Sequence, residues 1–401
     1  MKKIAIITRA FPGATFPLAK QFIENGNEID YYFMSNRNMV SVSEGADFKA
    51  FKAKKMIGVV EYQICPELYD YFGSKKLRLL YYRRPRPYKR VPIIRSIVAF
   101  YLAVHDKVFC QHISREQYDF INLVGTNKTD EYYNLLKFIR VPIIVSLHEV
   151  VSHSMDMDKS NLKTPKWMSR LFSSDNATVV VHSQNTYEAI KMYYKELSLE
   201  KVHVIHFGLF ESYKCVKPDN SIISQLPDKY ILFFGSILPY KGLDVLYEAV
   251  IKHREWFEDY KVVVAGRGHV ECVESIMTDD SFVCINRYIT NGELVSLIFN
   301  AMFVVCPYRE ISQSGIPQTA FVFNKPIVAS NLNAFKEVMT DGQNCLLFDS
   351  GNSEELAVKM RQMIDNYEYF KNNIIKFEEI NPCFSWQYIS KQYESLIEKQ
   401  V

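Results

Sequence analysis

A chain of 401 residues is long for one domain and comfortable for two. At 48% hydrophobic and 23% charged, with 15 Gly and 15 Pro, it is neither disordered, collagenous nor low in complexity. Its 48 basic and 45 acidic residues leave a formal charge of +3, too near neutrality for a dedicated nucleic-acid binder.

A chain this long can bury a sizeable core without covalent staples. The 26 Tyr and 27 Phe suit partly wet grooves. The cysteines (Cys65, Cys110, Cys215, Cys272, Cys284, Cys306, Cys345, Cys383) are scattered, with no C-x-x-C and no paired His/Cys spacing. That argues against structural zinc and against a disulfide framework, and fits a reducing, cytoplasmic compartment. The opening MKKIAIITRAFPG has only a short apolar stretch before Thr8 and Arg9, so it reads as a buried strand, not a signal peptide. No apolar run reaches membrane-spanning length; the nearest, Ser96–Val104, has the length of a core helix.

Short β-rich runs alternate with helical stretches from end to end. The first half offers strands at 4–8, 28–34, 119–125, 141–148, 177–183 and 201–207, with a helix over Pro17–Asn25 stopped by Gly26. A polar break near Cys215–Lys229 carries Pro218, Asp219, Asn220 and Pro227. Beyond it, strands are expected at 230–236, 261–266, 281–286, 302–307, 326–330 and 345–348, with helices near 242–255, 291–300 and 354–366. Several runs are apolar without alternation, as a parallel strand covered on both faces reads. The pattern predicts an α/β protein of two Rossmann-like, doubly wound parallel-sheet domains, 1–214 and 215–383. The default ligand site is an inter-domain cleft at the carboxyl ends of the strands. A single β/α barrel fits less well, given the number of strands and the mid-chain break.

The most informative stretch is Phe233-Phe234-Gly235-Ser236-Ile237-Leu238-Pro239-Tyr240-Lys241-Gly242-Leu243-Asp244. A strand ends at Gly235 and a helix opens after Lys241-Gly242. Glycine lets the backbone approach an anion, and Lys241 adds a point charge beside a positive helix end. Taken alone, the same stretch also fits a solvated lysine on an ordinary loop. Ala265-Gly266-Arg267-Gly268-His269 is a second strand-to-glycine turn. In Pro307-Tyr308-Arg309-Glu310-Ile311-Ser312-Gln313-Ser314-Gly315, a carboxylate follows a strand. Small polar residues then lead into a helix whose free N–H groups can hold a phosphate. Glu310 fits a capping or surface role equally well.

In order and spacing, these motifs, with Lys325-Pro326-Ile327 and Asn333-Ala334-Phe335-Lys336-Glu337, resemble glycosyltransferase family 4. These are retaining, nucleotide-sugar-dependent enzymes of the GT-B fold. The resemblance is strongest over 230–366 and extends loosely to the opening strand, Ser146-Leu147-His148-Glu149 and Val181-His182-Ser183. The end of the chain, 384–401, looks like the helix that crosses back to the first domain in such folds. The resemblance implies that Lys241 binds the donor diphosphate, Glu310 and His148 lie at the transferred sugar, and Ser314-Gly315 helps hold the phosphates. It also places Gly235, Ser236, Arg267, Arg287 and Ile289 around the phosphates and base. The implied partners are a nucleotide sugar and a glycan or lipid-linked acceptor, in bacterial surface polysaccharide biosynthesis. No cofactor or metal is implied, and no nucleic acid.

There are departures. Ser236 stands where the family usually has a basic residue, and only Gly13 stands where many members have a glycine pair. Where a second glutamate usually holds the ribose, counting from Glu310 lands on Gln318 and aligning on Lys325-Pro326 lands on Thr319, neither a carboxylate; Gln318 can still hydrogen-bond a hydroxyl, without the charge-assisted strength. An inactive nucleotide-binding scaffold and a nucleotide-sugar epimerase therefore remain as alternatives. Asp156-Met157-Asp158 mimics a metal-binding D-x-D but reads as solvated acids in a loop. No Gly-x-Ser-x-Gly or H-E-x-x-H supports a hydrolase or zinc protease. Finally, Lys75–Arg95 carries nine basic residues and no acid, interleaved with Leu and Tyr. It reads either as a solvated loop or as a peripheral contact with anionic lipid on the inner face of the membrane.

Overall fold

The computed structural model describes residues 1–8, 12–35, 59–62, 70–73, 76–83, 92–125, 133–148, 150, 163–311 and 313–398. The chain divides into two units, each built on one sheet. The first takes the described residues up to Val150, then Lys163 to Gly208, and the helix Trp386–Glu398; the second runs Leu209–Ser385.

The first unit's strands are β1 (Lys3–Thr8), β2 (Glu28–Ser35), β3 (Val59–Tyr62), β4 (Leu77–Arg83), β5 (Phe120–Gly125), β6 (Ile143–Leu147), β7 (Ala177–Val181) and β8 (Val202–Val204). They lie in the order β3-β4-β2-β1-β5-β6-β7-β8, all parallel except β3 against β4. Ile4 and Ile6 pack into one core face and Ala5 and Ile7 into the other, so β1 is covered on both sides and needs apolar residues throughout. The helix Trp386–Glu398 belongs to this unit: Tyr393 meets Phe22 edge-on at 6.3 Å, and Asn27 donates to Glu394 at 2.9 Å.

Strands β3 and β4 are absent from the sequence reading, and β4 corrects it. Leu77, Leu79 and Tyr81 fill one core face; Leu80 and Tyr82 fill the other. Arg78 pairs with buried Asp30 at 2.5 Å and with Glu116 at 2.6 Å, and Tyr118 donates to Asp30 as well. The leucines and tyrosines of this part of the basic run are therefore core, neither a solvated loop nor a lipid-facing set. Lys75, Arg84, Arg86, Lys89 and Arg90 lie outside the described residues, as do Asp156-Met157-Asp158 and Glu149.

The second unit contains β9 (Tyr230–Phe234), β10 (Lys261–Gly266), β11 (Phe282–Asn286), β12 (Val304–Cys306), β13 (Ile327–Ser330) and β14 (Cys345–Phe348). They form a fully parallel sheet ordered β11-β10-β9-β12-β13-β14. Tyr230, Leu232 and Phe234 face one core layer and Ile231 and Phe233 the other. The strand order reverses between β9 and β12, the Rossmann switch point, where ligands bind beyond the carboxyl ends. The two Rossmann-like sheets expected from the sequence are both present.

The division falls at Gly208/Leu209, ahead of the expected 214/215. The intervening residues are tied into the second unit: the Phe210 amide donates to the Gln318 carbonyl at 3.2 Å, and Tyr213 packs with Val295.

Candidate functional site

The site builds from backbone contacts at the carboxyl edge of the second sheet. Gly235 ends β9 at φ +113° and donates its amide to Ala265 at 3.0 Å. A Cβ on Gly266 would stand 1.7 Å from the Gly235 carbonyl oxygen, and one on Gly268 would stand 1.9 Å from that of Ile237. Only glycine lets the loops after β9 and β10 run backbone against backbone. The side chains of Ser236 and Arg267 are exposed on this rim.

Gly242 makes the next close approach. It is left-handed at φ +66°, and a Cβ there would stand 1.8 Å from the Pro307 carbonyl oxygen. This contact sets Lys241, carried on the loop from β9, beside the end of β12 across the switch point. The Lys241 ammonium donates to the Tyr308 hydroxyl at 2.5 Å and lies 4.0 Å from the centre of that ring. Burial pushes its pKa down to about 8. Among the described residues no carboxylate lies within ion-pair distance of it. Tyr308 is 1% exposed, and burial raises its phenol well above the usual value, keeping it neutral. A cation held against a neutral phenol is ready for an anion.

The loop after β12 is pinned from both sides. The Arg309 amide donates to the Tyr240 carbonyl at 2.8 Å and its guanidinium pairs with Asp244. Half-buried Glu310 follows. The Ser314 hydroxyl accepts from the Ile316 amide at 3.2 Å, and Thr319 donates to the Gly315 carbonyl at 2.8 Å. A Cβ on Gly315 would meet the Phe210 ring at 2.7 Å. Gln318, on the helix Ile316–Val322, is 3% exposed, and its Oε1 has no hydrogen-bond partner among the described residues.

Gly235, Ser236, Lys241, Arg267, Glu310, Ser314 and Gly315 thus all lie on loops leaving the carboxyl ends of β9, β10 and β12. Arg287 and Ile289 lie on the loop after β11, at the same edge of the sheet. Arg287 grips Glu293 at 2.6 and 3.0 Å, which holds that carboxyl below its usual range, and Ile289 packs against the core. Tyr308 had no role in the sequence reading. Its contact with Lys241 spans 67 residues, and no local pattern announces it.

In the first unit, His148 follows β6, buried, and burial pushes its pKa down to about 3. It is therefore a neutral imidazole, stacked on Phe207 at 5.1 Å and lying 5.1 Å from His182. His182 Nδ1 is 2.9 Å from the Ile205 carbonyl, so it carries the proton, and its Nε2 has no partner among the described residues. His182 lines a cavity of about 10 Å³ with Thr15, Asn122, Ser146 and Tyr393. Among the described residues, no group of three or more His, Cys, Asp or Glu could hold a metal, and no helix is long and apolar enough to cross a membrane.

Residues 228–366 match the family model described as "Glycosyl transferases group 1". Over this stretch the chain is similar to group 1 glycosyltransferases. An uncharacterized glycosyltransferase of Methanocaldococcus jannaschii is 25% identical over 170 residues, covering 41% of this chain and 48% of that one. The phosphatidyl-myo-inositol mannosyltransferase of Mycobacterium leprae is 25% identical over 170 residues, covering 41% of this chain and 45% of its own. The chain thus spans about half the length of the curated relatives it matches. Among solved structures, Anabaena HepE in complex with UDP and glucose superimposes with a TM-score of 0.60 at 15% identity, covering 99% of this chain and 100% of its own. That likeness shows the fold, which is GT-B.

Proposed function

We propose that this protein is a retaining glycosyltransferase that moves a sugar from a nucleoside diphosphate sugar to a hydroxyl of a glycan or lipid-linked acceptor. The setting proposed is bacterial surface polysaccharide assembly. The observation that carries this reading is the Lys241 ammonium, held at the switch point of a domain similar to group 1 glycosyltransferases, with no carboxylate among the described residues within ion-pair distance.

In the reaction, the bond from the sugar's anomeric carbon to the diphosphate oxygen breaks and a bond to the acceptor oxygen forms on the same face. The acceptor's proton passes to the departing diphosphate. Negative charge grows on that leaving group, and Lys241 is the side chain that meets it; losing one such contact costs roughly 10²-fold or more in rate. Ser314 and the Gly315 backbone hold the phosphates, while Glu310 and neutral His148 orient the sugar. In this reading Lys241 supplies the positive charge without a metal. HepE, in complex with UDP and glucose, makes uridine diphosphate sugars the first donors to try.

The lipid-linked acceptor draws support from the mycobacterial relative's name. A cytoplasmic protein working on such acceptors meets the inner face of the membrane, and the basic residues of Lys75–Arg95 other than Arg78 are the candidates for that contact. Co-sedimentation with anionic vesicles at low salt tests it, and no binding removes it.

One observation favours a second reading, nucleotide binding without transfer: the buried Gln318 and Thr319, the two candidates for the family's second carboxylate position, are both uncharged. Donor hydrolysis or transfer above background eliminates it. For the first reading, Lys241→Ala and Glu310→Gln should each cut transfer at least 10²-fold with the fold intact. Wild-type rates in both variants refute the site.

A further inference from the structure

One buried phenol joins the loops after β9 and β12. Tyr308 is fixed on every side: its ring meets Tyr240 edge-on at 6.3 Å and Phe335 at 5.4 Å, and its carbonyl accepts from Ser350 at 3.0 Å. Lysine can only donate, so the Tyr308 oxygen accepts from Lys241.

We propose that Tyr308 is a positioning residue of the anion site: its hydroxyl and ring hold the Lys241 ammonium at the end of β12, so that it meets the diphosphate. The proposal rests on the nucleotide-sugar reading and adds to it the device that aims the cation. The choice of a phenol has a physical logic. A carboxylate in this place would neutralise Lys241 and compete with the incoming phosphates. A neutral phenol uses one of the three ammonium N–H groups, leaves two for phosphate oxygens, and steadies the charge with its ring face.

Tyr308→Phe tests this, because it keeps the ring and removes only the hydroxyl. The first measurement uses no nucleotide: the pH dependence of Lys241 acetylation, read by mass spectrometry. The hydroxyl stabilises the charged amine, so its loss should lower the midpoint by about one pH unit, the size of a hydrogen bond to a charged group. An unchanged midpoint overturns the proposal. The second is a double-mutant cycle read by UDP calorimetry. Tyr308→Phe should weaken binding about tenfold or more in the wild-type background, and no further in Lys241→Ala. No weakening, or equal weakening in both backgrounds, overturns it. If the wild type binds none of UDP, GDP or ADP, the nucleotide reading fails, and the acetylation midpoint still decides whether Tyr308 holds Lys241.

Discussion

Donor binding should carry the titration of Lys241. Burial places this ammonium near pH 8 in the free protein, and an anion binds its charged form. With that midpoint about 90% of Lys241 is charged at pH 7 and about 10% at pH 9, so affinity should fall about tenfold between them. The sign is fixed: binding is strongest below the midpoint and is lost as the pH rises through it. A nucleotide sugar is the ligand of choice, because its diphosphate is esterified at both ends and holds its charge across this range. The neighbouring groups stay silent. Tyr308 is raised well above its usual value and Cys306 is raised to about 12. Calorimetry from pH 6.5 to 9.5 reads the effect, with Lys241→Arg as control, since a guanidinium keeps its charge throughout. Pooled profiles that are flat for the wild type, or equally steep for Lys241→Arg, refute the assignment.

Gly242→Ala should cost about 2–4 kcal/mol in urea unfolding, because it adds a clash with Pro307 to left-handed strain. Gly342→Ala, at φ +73° with nothing within 4 Å, should cost about 1 kcal/mol, and equal losses would show that the clash is relieved. Arg78→Met should cost about 2–3 kcal/mol, because it removes the guanidinium from Asp30, whose side chain is 4% exposed and keeps, among the described residues, only Tyr118 and a distant Lys3. A change below about 0.5 kcal/mol would make that pair a mere surface contact.

What the sequence discloses follows how local each signal is. The all-apolar runs at β1, β9 and β10 declare themselves, because strands covered on both faces leave no room for polar residues. Strand β4 does not. Arg78 sits among its leucines as a charge does on a solvent face, and the buried carboxylate it pairs with is 48 positions away. Lys241 is legible because its glycine and its turn are adjacent to it. Tyr308 is not, because its meaning comes from a contact across the sheet. Arg287 was readable in another way: Thr290 and Glu293 form a capping box, a pattern that marks Glu293 as a helix-start residue and so as the nearest partner for Arg287. The seam at Gly208/Leu209 is set by Phe210 reaching Gln318 and Gly315, again a non-local contact.

The central claim is that the switch point between β9 and β12 is a nucleotide-sugar site whose cation is Lys241. Calorimetric titration with UDP-, GDP- and ADP-sugars at pH 7 tests it most directly, run on the wild type and on Lys241→Ala. The account predicts saturable binding of at least one donor by the wild type, weakened about tenfold or more in the variant. Binding of equal strength in both proteins, or no binding of any donor by the wild type, contradicts it.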